Sequence, residues 1–237
     1  MRAASRRDRP GAPADALAFH AAFAAVAALA LAAPWPSVVL PAYGTALGRP
    51  PTGWLLLGLV VLYNVALPVV GRRRGHERWV RLWAFLVPLG AFQVVPDAFL
   101  ADVVGSLDFP DTGGPRLGPV PLAMAGMWTV PLWLSTYAGL RARSAWVAAA
   151  VAGVLLVGAE ATLWVVPIWR AVGVTAVGPV AVYVVLPEIL LGAATFAAFR
   201  WGEGRRWPQR VAAAAVVSVL YLGALGASYW LVERVLG

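Results

Sequence analysis

Three carboxylic acids, Asp97, Glu160 and Glu188, stand inside long apolar runs of the chain, and so do two amides, Asn64 and Gln93. A charged group within a membrane-length apolar segment costs several kcal/mol unless it is buried and partnered, so each acid is a functional candidate. Gln93 and Asp97 are four residues apart and therefore share one helix face. No basic residue stands beside the acids to neutralise them. Burial without a cationic partner favours the protonated carboxyl, the form a general acid needs at neutral pH. The chemistry on offer is proton donation and return in apolar surroundings. Glu188 or Glu160 would serve as acid and Asp97 as second acid or base. The aromatic faces of Trp128, Trp164 and Tyr183 would stabilise positive charge, with Gln93 and Asn64 as polar contacts to a substrate.

Each residue also has a purely structural reading. Asp97 can cap a short helix that starts after Pro96. Glu160 can bond a neighbouring helix. Glu188 can satisfy backbone groups loosened by Pro187. Asn64 and Gln93 can be interhelical hydrogen-bonding groups, and Trp128 can be packing bulk instead of a cavity wall.

Between Gln93 and Trp133, four of the eleven acidic residues (Asp97, Asp102, Asp108, Asp111) fall within fifteen positions. Only Asp97 belongs to an apolar run. Asp108 and Asp111 form a DxxD pair, a spacing that can hold a divalent cation or, through Mg²⁺, a diphosphate. Asp before Pro, Thr and Gly is also ordinary turn chemistry, and no second aspartate-rich motif exists. The turn is the expected reading, with no metal and no cofactor.

The composition sets the frame for these residues. The chain of 237 residues is 61% hydrophobic and 13% charged, with a mean hydropathy of +0.75. A soluble domain carries about 25% charged residues, so the shortfall points to an integral membrane protein. There is no cysteine, hence no disulfide, thiolate metal site or thiol nucleophile. All nineteen basic residues are Arg, and without lysine a retinal Schiff base is impossible. The two histidines, His20 and His76, cannot supply an intramembrane haem or a His-rich metal site. The net charge of +8 could suggest nucleic acid, but the arginines sit in short runs between apolar segments and report membrane orientation instead.

Seven apolar segments follow the basic tail of residues 1–15, which reads as disordered. They are 17–33 and about 53–71, 79–101, 118–140, 145–168, 176–199 and 211–233, each near the roughly 20 residues that cross a bilayer. The first exceeds a signal-peptide core of about 7–15 residues and is read as a retained helix. Backbone groups in lipid need internal partners, so the fold class is all-α, a seven-helix transmembrane bundle over residues 16–237. With the N-terminus cytoplasmic and the C-terminus outside, fifteen of the nineteen arginines fall in inner segments and four (Arg49, Arg116, Arg170, Arg234) outside. Trp35, Trp54, Trp169 and Trp230 then mark outer ends, and Trp79, Trp146, Trp201 and Trp207 inner ends. No internal repeat is evident, which speaks against a duplicated secondary transporter.

The segment RLGPVPLAMAGMWTVPLW, residues 116–133, resembles bacterial membrane carotenoid hydratases and the related small integral-membrane lycopene cyclases. The Pro187-Glu188 pair resembles the Pro-acidic pair of the cyclases, although their doubled acidic pair is absent and the chain is shorter than typical hydratases. The resemblance covers about thirty residues. It implies cofactor-independent protonation of a C=C bond of a long isoprenoid, ending in hydration, cyclisation or isomerisation. The expected partners are a bilayer, that of a bacterial cytoplasmic membrane, and a lipophilic small molecule; no nucleic acid is expected. The sequence leaves oligomeric state open. Two other classes remain: a small-solute or proton transporter, and a non-catalytic lipid-binding membrane subunit.

Overall fold

A computed structural model describes residues 11–32, 38–40, 45–47, 51–162, 166 and 168–236. The chain divides into two compact units, residues 1–80 with 111–115 and residues 81–110 with 116–237.

The first unit contains α1 (Ala12–Ala32), the hairpin β1 (Val38–Leu40) and β2 (Thr45–Leu47), α2 (Thr52–Arg74) and the first turn of α3 (Glu77–Phe92). Helix α1 begins inside the segment expected to be a disordered tail. The reason is Asp15, which caps the first turn electrostatically. Its carboxylate accepts from Arg74 at 3.2 Å and pairs with the buried His76 at 2.8 Å. Further along α1, His20 hydrogen-bonds the Tyr63 hydroxyl at 3.0 Å, and Phe23 meets the Tyr63 ring edge-on. Helix α2 stops at Gly75, whose φ of 73° only glycine adopts freely.

The second unit holds the rest of α3, then α4 (Val94–Ala98), a π-helical turn (Phe99–Val104), β3 (Leu107–Asp108), β4 (Arg116–Leu117) and β5 (Val120–Pro121). It continues with α5 (Leu122–Met127), α6 (Thr129–Ala142), α7 (Ala145–Thr162), β6 (Arg170–Ala171), β7 (Ala176–Val177) and β8 (Val180–Ala181). It ends with α8 (Val182–Gly202), α9 (Trp207–Trp230) and a second π-helical turn (Leu231–Leu236). The described strands are pieces of two or three residues, so the fold is all-α.

Among the described residues, six helical segments are long and apolar enough to cross a membrane: Ala12–Ala32, Thr52–Arg74, Glu77–Val104, Ala145–Thr162, Val182–Gly202 and Trp207–Leu236. The expected fourth span is divided at Trp128 into α5 and α6, neither long enough alone. Pro131 has no N–H for the Met127 carbonyl, and the helical hydrogen-bond ladder is interrupted there. The start of the expected sixth span, 176–181, is a β-hairpin instead.

An internal repeat, absent from the sequence reading, is plain in this unit. Gly118-Pro119-Val120 forms the turn of the β4–β5 hairpin, and Gly178-Pro179-Val180 forms that of β7–β8. The two glycines have φ of 59° and 61°, and each hairpin leads directly into a helix. Each is preceded by a helix and a short strand, and those strands, β3 and β6, pair antiparallel with each other. Asp97 and Glu160 precede β3 and β6 by the same number of residues; Trp128 and Glu188 follow their hairpins at the same spacing. The repeat escapes sequence inspection because the matched helices share little beyond apolar character.

Close helix packing rests on small residues, as membrane bundles require. A Cβ on Gly192 of α8 would lie 2.8 Å from the Ala148 carbonyl oxygen, and one on Gly139 of α6 would lie 2.7 Å from the Ala148 Cβ.

Candidate functional site

Pro96 and Pro187 each lie inside a helix just before an acid. Neither proline can donate to the carbonyl four residues earlier, which frees the oxygens of Phe92 and Tyr183. Helix α9 takes up both: Ser218 donates to Phe92 at 3.0 Å and Ser228 to Tyr183 at 2.6 Å. One helix thereby braces the two Pro-acid pairs, and the acids Asp97 and Glu188 are buried at 4% exposure each.

Asp97 accepts a hydrogen bond from the Trp128 indole N–H at 3.1 Å. That bond locates Asp97 beside the α5–α6 break, and it shows the acid doing more than capping α4. Tyr221 of α9 meets Trp128 edge-on, with ring centroids 5.8 Å apart. Glu160 of α7 is half-buried and accepts from the Trp169 indole at 2.7 Å. The repeat thus places an acid at corresponding positions in its two halves, each held by an indole N–H. Glu188 occupies the position that corresponds to Trp128, and its Oε2 has no hydrogen-bond partner among the described residues.

Gln93 is fully buried on the Asp97 face, and neither amide atom has a partner among the described residues. Tyr183 is buried at the hairpin end of α8, where its hydroxyl bonds Ser106 Oγ at 2.8 Å and its ring meets Tyr229. Asn64 belongs to the first unit and donates to the Val60 carbonyl of its own helix at 2.9 Å. Trp164 lies outside the described residues.

The DxxD pair is accounted for by local bonds. Asp108 pairs with Arg170 at 2.7 Å, across the β3–β6 strands. Asp111 accepts from the Gly113 N–H at 2.9 Å, an Asx-type turn. Among the described residues no group of three or more His, Cys, Asp or Glu side chains could hold a metal.

Sequence reasoning missed Tyr221, Ser218 and Ser228. All three are polar groups within the last apolar run, and their spacing from the prolines becomes visible only when α9 is packed.

A family model described as a domain of unknown function (DUF6989) matches residues 94–232, more than half of the chain, and the chain belongs to that family. The matched segment contains Asp97, Trp128, Glu160, Glu188 and Tyr221. No curated protein and no solved structure matches the chain.

Proposed function

We propose that this member of the DUF6989 family is an integral membrane enzyme that protonates a C=C bond of a lipophilic isoprenoid without a cofactor. The observation that carries the reading is the pairing of buried acids with aromatic rings: Asp97 on the Trp128 indole, Tyr221 against that indole, and Glu188 with a carboxyl oxygen left unbonded. Glu188 is the proton donor, because Asp97 and Glu160 are already committed to indole N–H groups. The π electrons of the C=C bond take the Glu188 proton, and the cation so formed lies near the Trp128 and Tyr221 rings, whose faces attract positive charge. Loss of a proton to the Asp97 carboxylate, either from carbon or from a water captured by the cation, ends the reaction as isomerisation, cyclisation or hydration. The resemblance of residues 116–133 to carotenoid hydratases and membrane lycopene cyclases supports an isoprenoid substrate.

The orientation that belongs to this reading has seven spans, the broken α5–α6 segment being one, with the N-terminus inside and the C-terminus outside a bacterial cytoplasmic membrane. The Pro-containing helices and intramembrane acids also favour a second reading, transport of a proton or small solute. One experiment separates the two. Lipids extracted from cells with and without the protein are compared by mass, using the wild type and Asp97→Asn, Glu160→Gln and Glu188→Gln. An altered isoprenoid that disappears with at least one variant supports the enzyme. An unchanged lipid profile, with acid-dependent proton or solute flux in vesicles, supports transport.

A further inference from the structure

Gln93 is a buried side chain of this region with both amide atoms, Nε2 and Oε1, unpartnered among the described residues. A buried polar group left unpaired is destabilising, and Leu or Met would fill the same volume without that cost. The amide also sits between two fixed contacts on one helix face. Toward the N-terminus, Gly90 lies so close to the Ala125 carbonyl that no Cβ would fit. Toward the C-terminus, Asp97 holds the Trp128 indole N–H. Gln93 is therefore held against the α5–α6 break between these contacts, on the same side as the acids.

We infer that Gln93 is the hydroxyl-binding residue of this site and that the ligand is an isoprenoid alcohol. The inference rests on the functional reading above and narrows its substrate class. An amide offers N–H donors and a carbonyl acceptor, and an alcohol hydroxyl both accepts and donates, so one group answers both ends. A ketone or ether would leave the carbonyl of Gln93 unpaired. A phosphate or carboxylate would stand one turn from the buried carboxyl of Asp97, whose hydrogen bond comes from an indole and not from a basic side chain. The partnerless Oε2 of Glu188 offers a second place at which a hydroxyl could be recognised.

The test compares two ligands that differ only in the hydroxyl: phytol, and the hydrocarbon phytene. Each is titrated into the purified full chain in detergent, with tryptophan fluorescence as the readout. The wild type is expected to bind phytol roughly tenfold or more tightly than phytene, because a site built to bond a hydroxyl discriminates against a ligand without one. Gln93→Met and Gln93→Leu should bind the two alike, with phytene affinity unchanged and a thermal midpoint equal to or above that of the wild type. Preference for phytol that survives in both variants overturns the assignment. So does failure of both variants to fold, since the amide would then be structural. Equal binding of phytol and phytene by the wild type overturns this inference alone. Binding of neither overturns the functional reading together with it.

Discussion

The Ser218 hydroxyl donates to the Phe92 carbonyl at 3.0 Å, and Phe92 is the residue whose helical partner would be Pro96. A side chain on one helix thus replaces a backbone donor missing from another. Ser218→Ala should destabilise the protein by about 1–2 kcal/mol, because it strands a carbonyl in the interior. Pro96→Ala restores an N–H at the right place, so adding Ser218→Ala to it should cost roughly 1 kcal/mol less than Ser218→Ala alone. Denaturation of the four proteins in mixed micelles gives the cycle. Strictly additive effects would mean that the serine does not substitute for the proline's missing donor. Ser228 and Pro187 form the parallel case through the Tyr183 carbonyl at 2.6 Å.

The Asp97–Trp128 bond gives a second expectation. Trp128→Phe keeps a ring against Tyr221 but removes the N–H that Asp97 accepts at 3.1 Å. With the acid left unpartnered in the interior, stability should fall by about 1–3 kcal/mol. In Asp97→Leu, where nothing needs the donor on the other side, Trp128→Phe should have a smaller effect. Thermal midpoints in detergent measure this, and equal losses in both backgrounds would deny the bond its role.

Much of this arrangement was legible in the chain and some was not, for identifiable reasons. Asp97, Glu188 and Gln93 stood out because polar atoms are rare in apolar runs, and all three are buried in the second unit. Trp128 was visible as a central aromatic, but its N–H bond to Asp97 depends on a contact between residues far apart in sequence. Ser218 and Ser228 looked like ordinary small polar residues of a membrane helix, since their significance lies in carbonyls that prolines on other helices release. Asn64 satisfied the same rule as Gln93 but bonds within its own helix. Hydropathy shows α5 and α6 as one continuous apolar run because the N–H lost at Pro131 leaves no trace in it. The repeat was hidden because hairpin geometry retains only Gly-Pro-Val.

The tight α7–α8 contact provides a control within one experiment. Gly192 has Ala152 and the Ala148 carbonyl where a Cβ would go, whereas Gly223 of α9 has nothing within 4 Å of that position. Gly192→Ala should therefore destabilise by about 1–3 kcal/mol through overpacking. Gly223→Ala should be neutral or stabilising by up to about 1 kcal/mol, because alanine is the better helix former. Denaturant midpoints of the two variants decide the matter. A Gly192→Ala protein as stable as wild type would show that α7 and α8 can move apart at no cost.

Orientation can be read directly, because the chain contains no cysteine and any introduced thiol reports alone. Thr112→Cys lies in the segment between the third and fourth apolar runs, and Gly204→Cys in the turn between α8 and α9. In the proposed topology the first is outside and the second inside. A membrane-impermeant maleimide added to intact cells or sealed spheroplasts should label Thr112→Cys fully, and Gly204→Cys only after the membrane is opened. Labelling in the reverse order would invert the topology while leaving the helix count intact. Labelling of both from outside would require an even number of crossings from loop to loop, and therefore a α5–α8 arrangement that does not span as proposed.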